Sequence, residues 1–224
     1  LFREDGKCLS NIVRFGERIP VTLLSFDIYG DITPYSLHGI SALCAKPEEL
    51  KPEIIDKGLF NLAKTRKEQV ILKAPSGTVF IKPSKKEYSE FIKASELAVG
   101  HSENQFVAFS LLSKAPRDKC IKKIYIDTNS ISSFVEAVLF YWTMFQGADC
   151  KLATYRSYGS YEGKDKAKPD TVGDVWLIIS ASRSNSMGIS MAKEWGLDNG
   201  QVITLLSYTD TDQEIVGDEN LVNI

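Results

Sequence analysis

Two short stretches of the chain carry the residue types that hold an anion: Asp127-Thr-Asn-Ser-Ile-Ser132 and Ser180-Ala-Ser-Arg-Ser-Asn-Ser186. Each follows an apolar run and precedes a helical pattern. Amides at the start of a helix have no intrahelical acceptor, and Ser, Thr and Asn side chains add further donors, so a phosphate there is stabilised by both. In the second stretch Ser182, Ser184, Asn185 and Ser186 are the candidate phosphate donors, and Arg183 can add a bidentate contact. Thr128, Asn129 and Ser130 are the candidates for a second anionic group. The plain alternative is that these hydroxyls and amides cap helices. Ser180 and Ala181 are not acidic, so the second stretch has no carboxylate to grip a metal ion or a ribose diol. Asp127 and Glu162 are the acids that could stand in for one, and neither is assigned a catalytic step; a lone Asp before a helix serves equally as a cap. Arg156, Lys164 and Lys166, with Lys168, lie in a stretch from 156 to 174 without periodicity, and Tyr155 just before it and Tyr158 and Tyr161 within it are spaced among them. A mobile basic loop of this kind can close over a phosphorylated substrate, or can simply be a solvated surface.

The elements that position these stretches follow from pattern. Lys122-Lys-Ile-Tyr-Ile126, Cys150-Lys-Leu-Ala-Thr-Tyr155, Val175 to Ile179 and Gln201 to Leu206 predict strands, and 133–146 and 186–195 predict helices between them. The run Val-Trp-Leu-Ile-Ile is apolar throughout, as in a parallel strand buried on both faces. Strands alternating with helices imply a Rossmann-like α/β fold, a parallel sheet flanked by helices with right-handed crossovers. Ligands in such sheets bind beyond the carboxyl ends of the strands where strand order reverses, so the two stretches share a pocket if their strands are neighbours. Upstream, Val21 to Tyr29 predicts a strand ended by a turn at Gly30-Asp31 and Thr33-Pro34, and Pro52 suits the first turn of a helix carrying Ile54, Ile55, Leu59 and Leu62. Gln69 to Ser84 predicts a hairpin of two short strands about Pro75-Ser-Gly77, and Ser102 with Gln105 predicts a capping box. The chain therefore divides into an N-terminal α/β hood or extension, 1–68, and an α/β core, 69–224.

Composition narrows the class. The chain has 224 residues, 43% apolar and 25% charged, which is ordinary for a globular protein with a substantial core. A net charge of −2 leaves no electrostatic footprint for nucleic acid. No apolar run reaches the length of a membrane span, so neither membrane nor nucleic acid is an expected partner. Cys8, Cys44, Cys120 and Cys150 are far apart with no paired spacing, and His38 and His101 are the only histidines, so no zinc or His-based site is expected. The thiols point to a reducing cytoplasm. The opening Leu1, followed by Arg3-Glu-Asp5, fits neither an initiator methionine nor a signal peptide, and the chain is expected to be a piece of a longer protein.

Taken in order, the residues resemble the type I phosphoribosyltransferases, those of orotate in particular. Leu72-Lys-Ala-Pro-Ser-Gly77 with Ser84 and Tyr88 is similar to the family's hood hairpin, 127–132 to its pyrophosphate loop, 156–168 to its flexible catalytic loop and Val175 to Gly188 to its diphosphosugar signature. The resemblance covers about 69 to 208. It implies a phosphoribosyltransferase-like domain, but the family's acidic pair, which engages the ribose hydroxyls, is here Ser180-Ala181, so a standard metal-dependent transfer is not implied. The expectation is a catalytically degenerate domain that binds a nucleotide or phosphosugar and serves as a sensing or interaction module, alongside other domains or subunits. Three alternatives stay open: an active phosphoribosyl or glycosyl transferase with a non-standard site, a sugar isomerase-type phosphosugar domain, or a structural interaction domain. No cofactor is assigned, and magnesium enters only with the transferase. Sugar isomerase domains also place serine loops after two strands, but Arg183 and Asn185 depart from that pattern and the hairpin is unexplained by it.

Overall fold

The computed structural model describes residues 22–36, 47–81, 87–146, 153–159, 163, 167–183, 186–208 and 220–223. In chain order the strands are β1 (Thr22–Phe26), β2 (Ile32–Ser36), β3 (Ile71–Lys73), β4 (Phe80–Ile81), β5 (Glu87–Tyr88), β6 (Glu90–Ile92), β7 (Lys123–Ile126), β8 (Thr154–Ser157), β9 (Val175–Ser182), β10 (Val202–Ser207) and β11 (Asn220–Asn223). The longer helices are α1 (Lys57–Thr65), α2 (His101–Leu112), α3 (Ser132–Gln146) and α4 (Ser186–Trp195).

Five strands form one parallel sheet in the order β11-β10-β9-β7-β8. Its centre is β9, whose residues Val175 to Ile179 are all fully buried. Alternate residues of β9 serve opposite faces. Trp176 and Ile178 join a cluster with Phe134, Val135 and Val138 of α3, and Val175, Leu177 and Ile179 join one with Met191 and Trp195 of α4. Helices α3 and α4 therefore cover opposite sides of the sheet, as two right-handed crossovers leaving the centre in opposite directions require. The expected α/β class, a parallel sheet flanked by helices, is the one observed. Among the described residues no helix is long and apolar enough to cross a membrane.

Several local expectations need correction. Helical structure begins at Pro47, before Pro52; the latter opens a five-residue π-helical stretch that leads into α1. Ile55, Leu59 and Ala63 from this region are buried in the same cluster as α2, α3 and the sheet. The turn after β1 spans Asp27 to Asp31, and Thr33-Pro34 lies within β2, which pairs antiparallel with β1. Asp27 closes that turn by accepting from the backbone amides of Tyr29 and Asp31.

Pro75-Ser-Gly77 is not the tip of a hairpin. β3 pairs with β6 and β4 with β5, both antiparallel, and the Ala74 amide donates to the Ser89 carbonyl between them at 2.7 Å. The described residues between 71 and 92 thus form one interrupted ribbon, with the turn at Pro75 a jog along its length. Gly77, at φ +78°, supplies the left-handed conformation of that jog.

The expected Ser102–Gln105 box gives way to Glu103, because α2 begins at His101 with Gly100 before it. Glu103 accepts from the Gly100 and Val99 amides and pairs through both oxygens with Arg66 at 2.8 Å. The Arg66 hydrogen bond, followed by those two amides, lowers its pKa to about 2.

Candidate functional site

Strand order reverses between β7 and β9. From β7 the chain passes through α3 to β8 on one side, and from β9 through α4 to β10 on the other. The strands that precede the two candidate stretches are therefore neighbours, and their carboxyl ends flank one crevice.

The floor of the crevice is a side-chain bridge. Asp127, directly after β7, accepts from the Ser180 amide through Oδ1 at 2.8 Å and from the Ser180 hydroxyl through Oδ2 at 2.7 Å. Burial raises the pKa of Asp127, and the two Ser180 contacts oppose that rise without cancelling it. Tyr158, beyond the end of β8, is buried against Trp195 with ring centroids 6.0 Å apart. Burial, and then the charge of Asp127, push its phenol above the ordinary range. A half-buried carboxylate with raised proton affinity beside a serine hydroxyl can hold and pass a proton, but both of its oxygens are bonded to the adjacent strand.

The expected loop after β9 is shorter than its hydroxyls suggest. β9 continues through Ser182, because β10 offers partners to its last residues, Leu206 to Ala181 and Ser207 to Ser182. Ser182 accepts from the Tyr208 amide through its carbonyl at 3.2 Å. Arg183 follows at once. Its Nη2 donates to Glu90 Oε2 of β6 at 3.0 Å, and the guanidinium lies 5.6 Å from the Tyr88 ring centroid and 5.4 Å from that of Tyr208. Ser186 opens α4 and is exposed. Ser184 and Asn185 lie outside the described residues.

The stretch after β7 is a capped turn. Thr128 Oγ1 accepts from the Ser130 amide at 3.2 Å, starting a short 3-10 helix over Asn129–Ile131, while the Asn129 and Ser130 side chains are exposed. Thr128 thus acts as the cap that was the plain alternative for these residues.

Of the basic stretch, Arg156 is in β8, opposite Tyr125, and exposed. Glu162, Lys164 and Lys166 lie outside the described residues. Tyr158 and Ala167 are buried in the cluster under α4, so the segment is pinned to the core at those two points. Tyr155 donates to Glu136 of α3 at 2.6 Å, which ties β8 to the helix that follows the first stretch.

Glu90 and Tyr208 belong to this site and are not found by sequence reasoning. Glu90 is 93 residues from Arg183, in a ribbon whose pairing the sequence leaves open, and Tyr208 carries no signal beyond following an apolar strand. Among the described residues no group of three or more His, Cys, Asp or Glu side chains is arranged to hold a metal ion. A separate cleft of about 500 Å³ opens between the β1–β2 turn and the helical stretch before α1, lined by Asp31, Lys51, Ile55 and Lys114 among others.

Fold and site define a doubly wound α/β domain with a point of strand-order reversal between β7 and β9, and an antiparallel ribbon that contacts Arg183, directly after β9, through Glu90 and Tyr88. The chain matches no protein-family profile and no curated protein sequence. Among solved structures it is similar to a UMP synthase of Leishmania donovani, at 14% identity and a TM-score of 0.39 over 84% of this chain and 42% of that one. It is also similar to an orotate phosphoribosyltransferase of Francisella tularensis, at 14% identity and a TM-score of 0.33 over 74% of this chain and 85% of that one. The chain thus spans less than half the length of the UMP synthase.

Proposed function

We propose that this chain is a phosphoribosyltransferase-like α/β domain that binds a nucleotide or phosphosugar without catalysing the standard metal-dependent transfer, as a sensing or interaction module of a larger cytoplasmic protein. The observation that carries this reading is the reversal of strand order between β7 and β9, which brings residues 127–130 and the start of α4 to one crevice. The loss of catalysis is supported by the chemistry of Ser180 and Asp127. Where the resemblance calls for carboxylates facing a ribose, the end of β9 carries Ser180 and Ala181, and the nearby Asp127 is bonded to Ser180.

The test is calorimetric titration with inorganic pyrophosphate, a nucleoside monophosphate, ribose 5-phosphate and 5-phosphoribosyl diphosphate. Binding of any phosphorylated ligand that is weakened by Arg183→Gln supports the reading; no binding of any of the four removes it. A magnesium-dependent release of pyrophosphate that disappears in Asp127→Ala would instead establish the transferase. One observation favours a second reading, the structural interaction domain. Phe140, Met144 and Phe145 are about half exposed along the last turns of α3, and Phe145 meets the exposed Phe26 of β1 at 5.9 Å between ring centroids. A monomer in sedimentation that captures no partner would count against that reading.

A further inference from the structure

The cation at the end of β9 already has an anion. Glu90 and Arg183 are both mostly shielded from solvent, 16% and 25% exposed, and the carboxylate approaches the guanidinium from the ribbon side. We propose that Glu90 is an internal anion lock: its carboxylate occupies on Arg183 the position of a ligand phosphate, so that the ribbon and the phosphate compete for one guanidinium. This rests on the reading of the crevice as an anion site.

Carboxylate and phosphate are alternative acceptors for the same planar fork of donors, so the two exchange without any change in the arginine. The ribbon is built to give way. Its root is held by Val70 and Ile71, which are buried, and by the Lys93 amide donating to the Val70 carbonyl at 2.7 Å. Ile92, paired with Ile71, packs on the core with that root; farther out, Val79 and Ile81 are exposed and Leu72 and Phe91 are partly so, and the apolar burial that opposes displacement is smaller there than at the root. A two-stranded ribbon has marginal stability by itself. The two rings beside Arg183 divide along the same line: Tyr88 belongs to the ribbon, whereas Tyr208 follows β10 and is bonded through its amide to Ser182. Displacement of the ribbon takes Glu90 and Tyr88 from the guanidinium, while the contact with Tyr208, which is not part of the ribbon, stays in place. Phosphate binding is then coupled to release of the segment 87–91, which converts occupancy of the crevice into a change of surface.

The experiment compares the wild-type chain with Glu90→Gln, which keeps the shape and removes the competing charge, in calorimetric titration with inorganic pyrophosphate. The lock requires the variant to bind about tenfold more tightly or better, the scale of one charge-assisted contact. In parallel, hydrogen exchange of the wild-type amides at 87–91 should accelerate on adding pyrophosphate. Equal affinities in the two proteins overturn the lock and leave the anion site standing. Absence of binding in both, with the fold intact by circular dichroism, removes the site and the lock together. If Glu90→Gln does not fold, the wild-type exchange decides alone, and protection at 87–91 that is unchanged or increased at saturating pyrophosphate refutes the lock.

Discussion

Replacing Asp127 separates two roles that the crevice floor combines, a hydrogen-bonded bridge between β7 and β9 and a carboxylate with raised proton affinity. In Asp127→Asn the amide oxygen still accepts from the Ser180 amide, and the amide nitrogen donates to the Ser180 hydroxyl, which turns from donor to acceptor. Two charge-assisted contacts of about 1.5–3 kcal/mol each become two neutral ones of about 1 kcal/mol, while the cost of holding a half-buried charge disappears. The opposing changes leave the variant within about 1 kcal/mol of the wild type near neutrality. Asp127→Ala has no such compensation; it strands the Ser180 donors at the partly covered end of a strand and costs about 1–3 kcal/mol. The pH dependence has a definite sign. The native pKa of Asp127 lies above its ordinary value of 3.8, so the native state keeps the proton to higher pH than the unfolded chain does. Its contribution to stability is therefore greatest below 3.8 and declines as pH rises through the native pKa. Asparagine has no such decline. Urea unfolding followed by tryptophan fluorescence, repeated from about pH 4 to about pH 8, should show the stability of Asp127→Asn gaining on the wild type and then levelling off. A difference that stays flat with pH, or an asparagine variant as damaged as the alanine one, would refute the reasoning.

Three further outcomes follow from burial and pairing. Leu59→Ala removes a fully buried side chain of α1 from the main core cluster and should cost about 2–5 kcal/mol in urea unfolding, and a loss under about 1 kcal/mol would mean that α1 does not fold with the sheet. Ser207, at the end of β10, is 1% exposed and its hydroxyl has no hydrogen-bond partner among the described residues, so Ser207→Ala should leave thermal stability unchanged or slightly raised; a fall of more than about 1 kcal/mol would show that the hydroxyl is satisfied. Glu103, held near 2 by Arg66 and two amides, contributes stability that is complete above 4.5 and is lost as pH falls toward 2. Glu103→Gln should flatten that acid limb when unfolding is followed by circular dichroism, and an unaltered limb would show that the pair contributes nothing.

The parts of the fold legible in the sequence are those where burial alone decides. Val175 to Ile179 is apolar at every position because both faces of β9 are covered, and α4 spans Ser186–Trp195 as its pattern predicts. Where a partner decides, the pattern misleads. Ser180 to Ser182 have the composition of a loop yet continue β9, because β10 supplies the ladder. Pro75-Ser-Gly77 has the chemistry of a hairpin tip yet forms a jog, since a local turn does not specify which distant strand is paired. β11 has only Leu221 and Val222 as apolar residues, too few to show a period, and it is a strand because β10 has an open edge beside it.

The site obeys the same rule with a further consequence. Hydroxyls, an arginine and an aspartate after two parallel strands are visible in the sequence, because their types and order are local. Their commitments are not, because a donor has the same letter whether it faces a ligand or a neighbour. Thr128 caps its own turn, Asp127 joins two strands, and Arg183 holds the ribbon through Glu90. Any affinity of the crevice for phosphate is therefore a difference between two free energies, that of the ligand contact and that of the internal contact it replaces. An anion that met Arg183 alone would gain little over Glu90, since one charge-assisted contact is exchanged for another. A ligand prevails only by adding contacts that the carboxylate lacks, such as further phosphate oxygens on the amides at the start of α4. If the proposed anion site holds, the domain discriminates among anions by the number of acceptors they present, and pyrophosphate binds more tightly than an acetate ion of the same chemistry as Glu90.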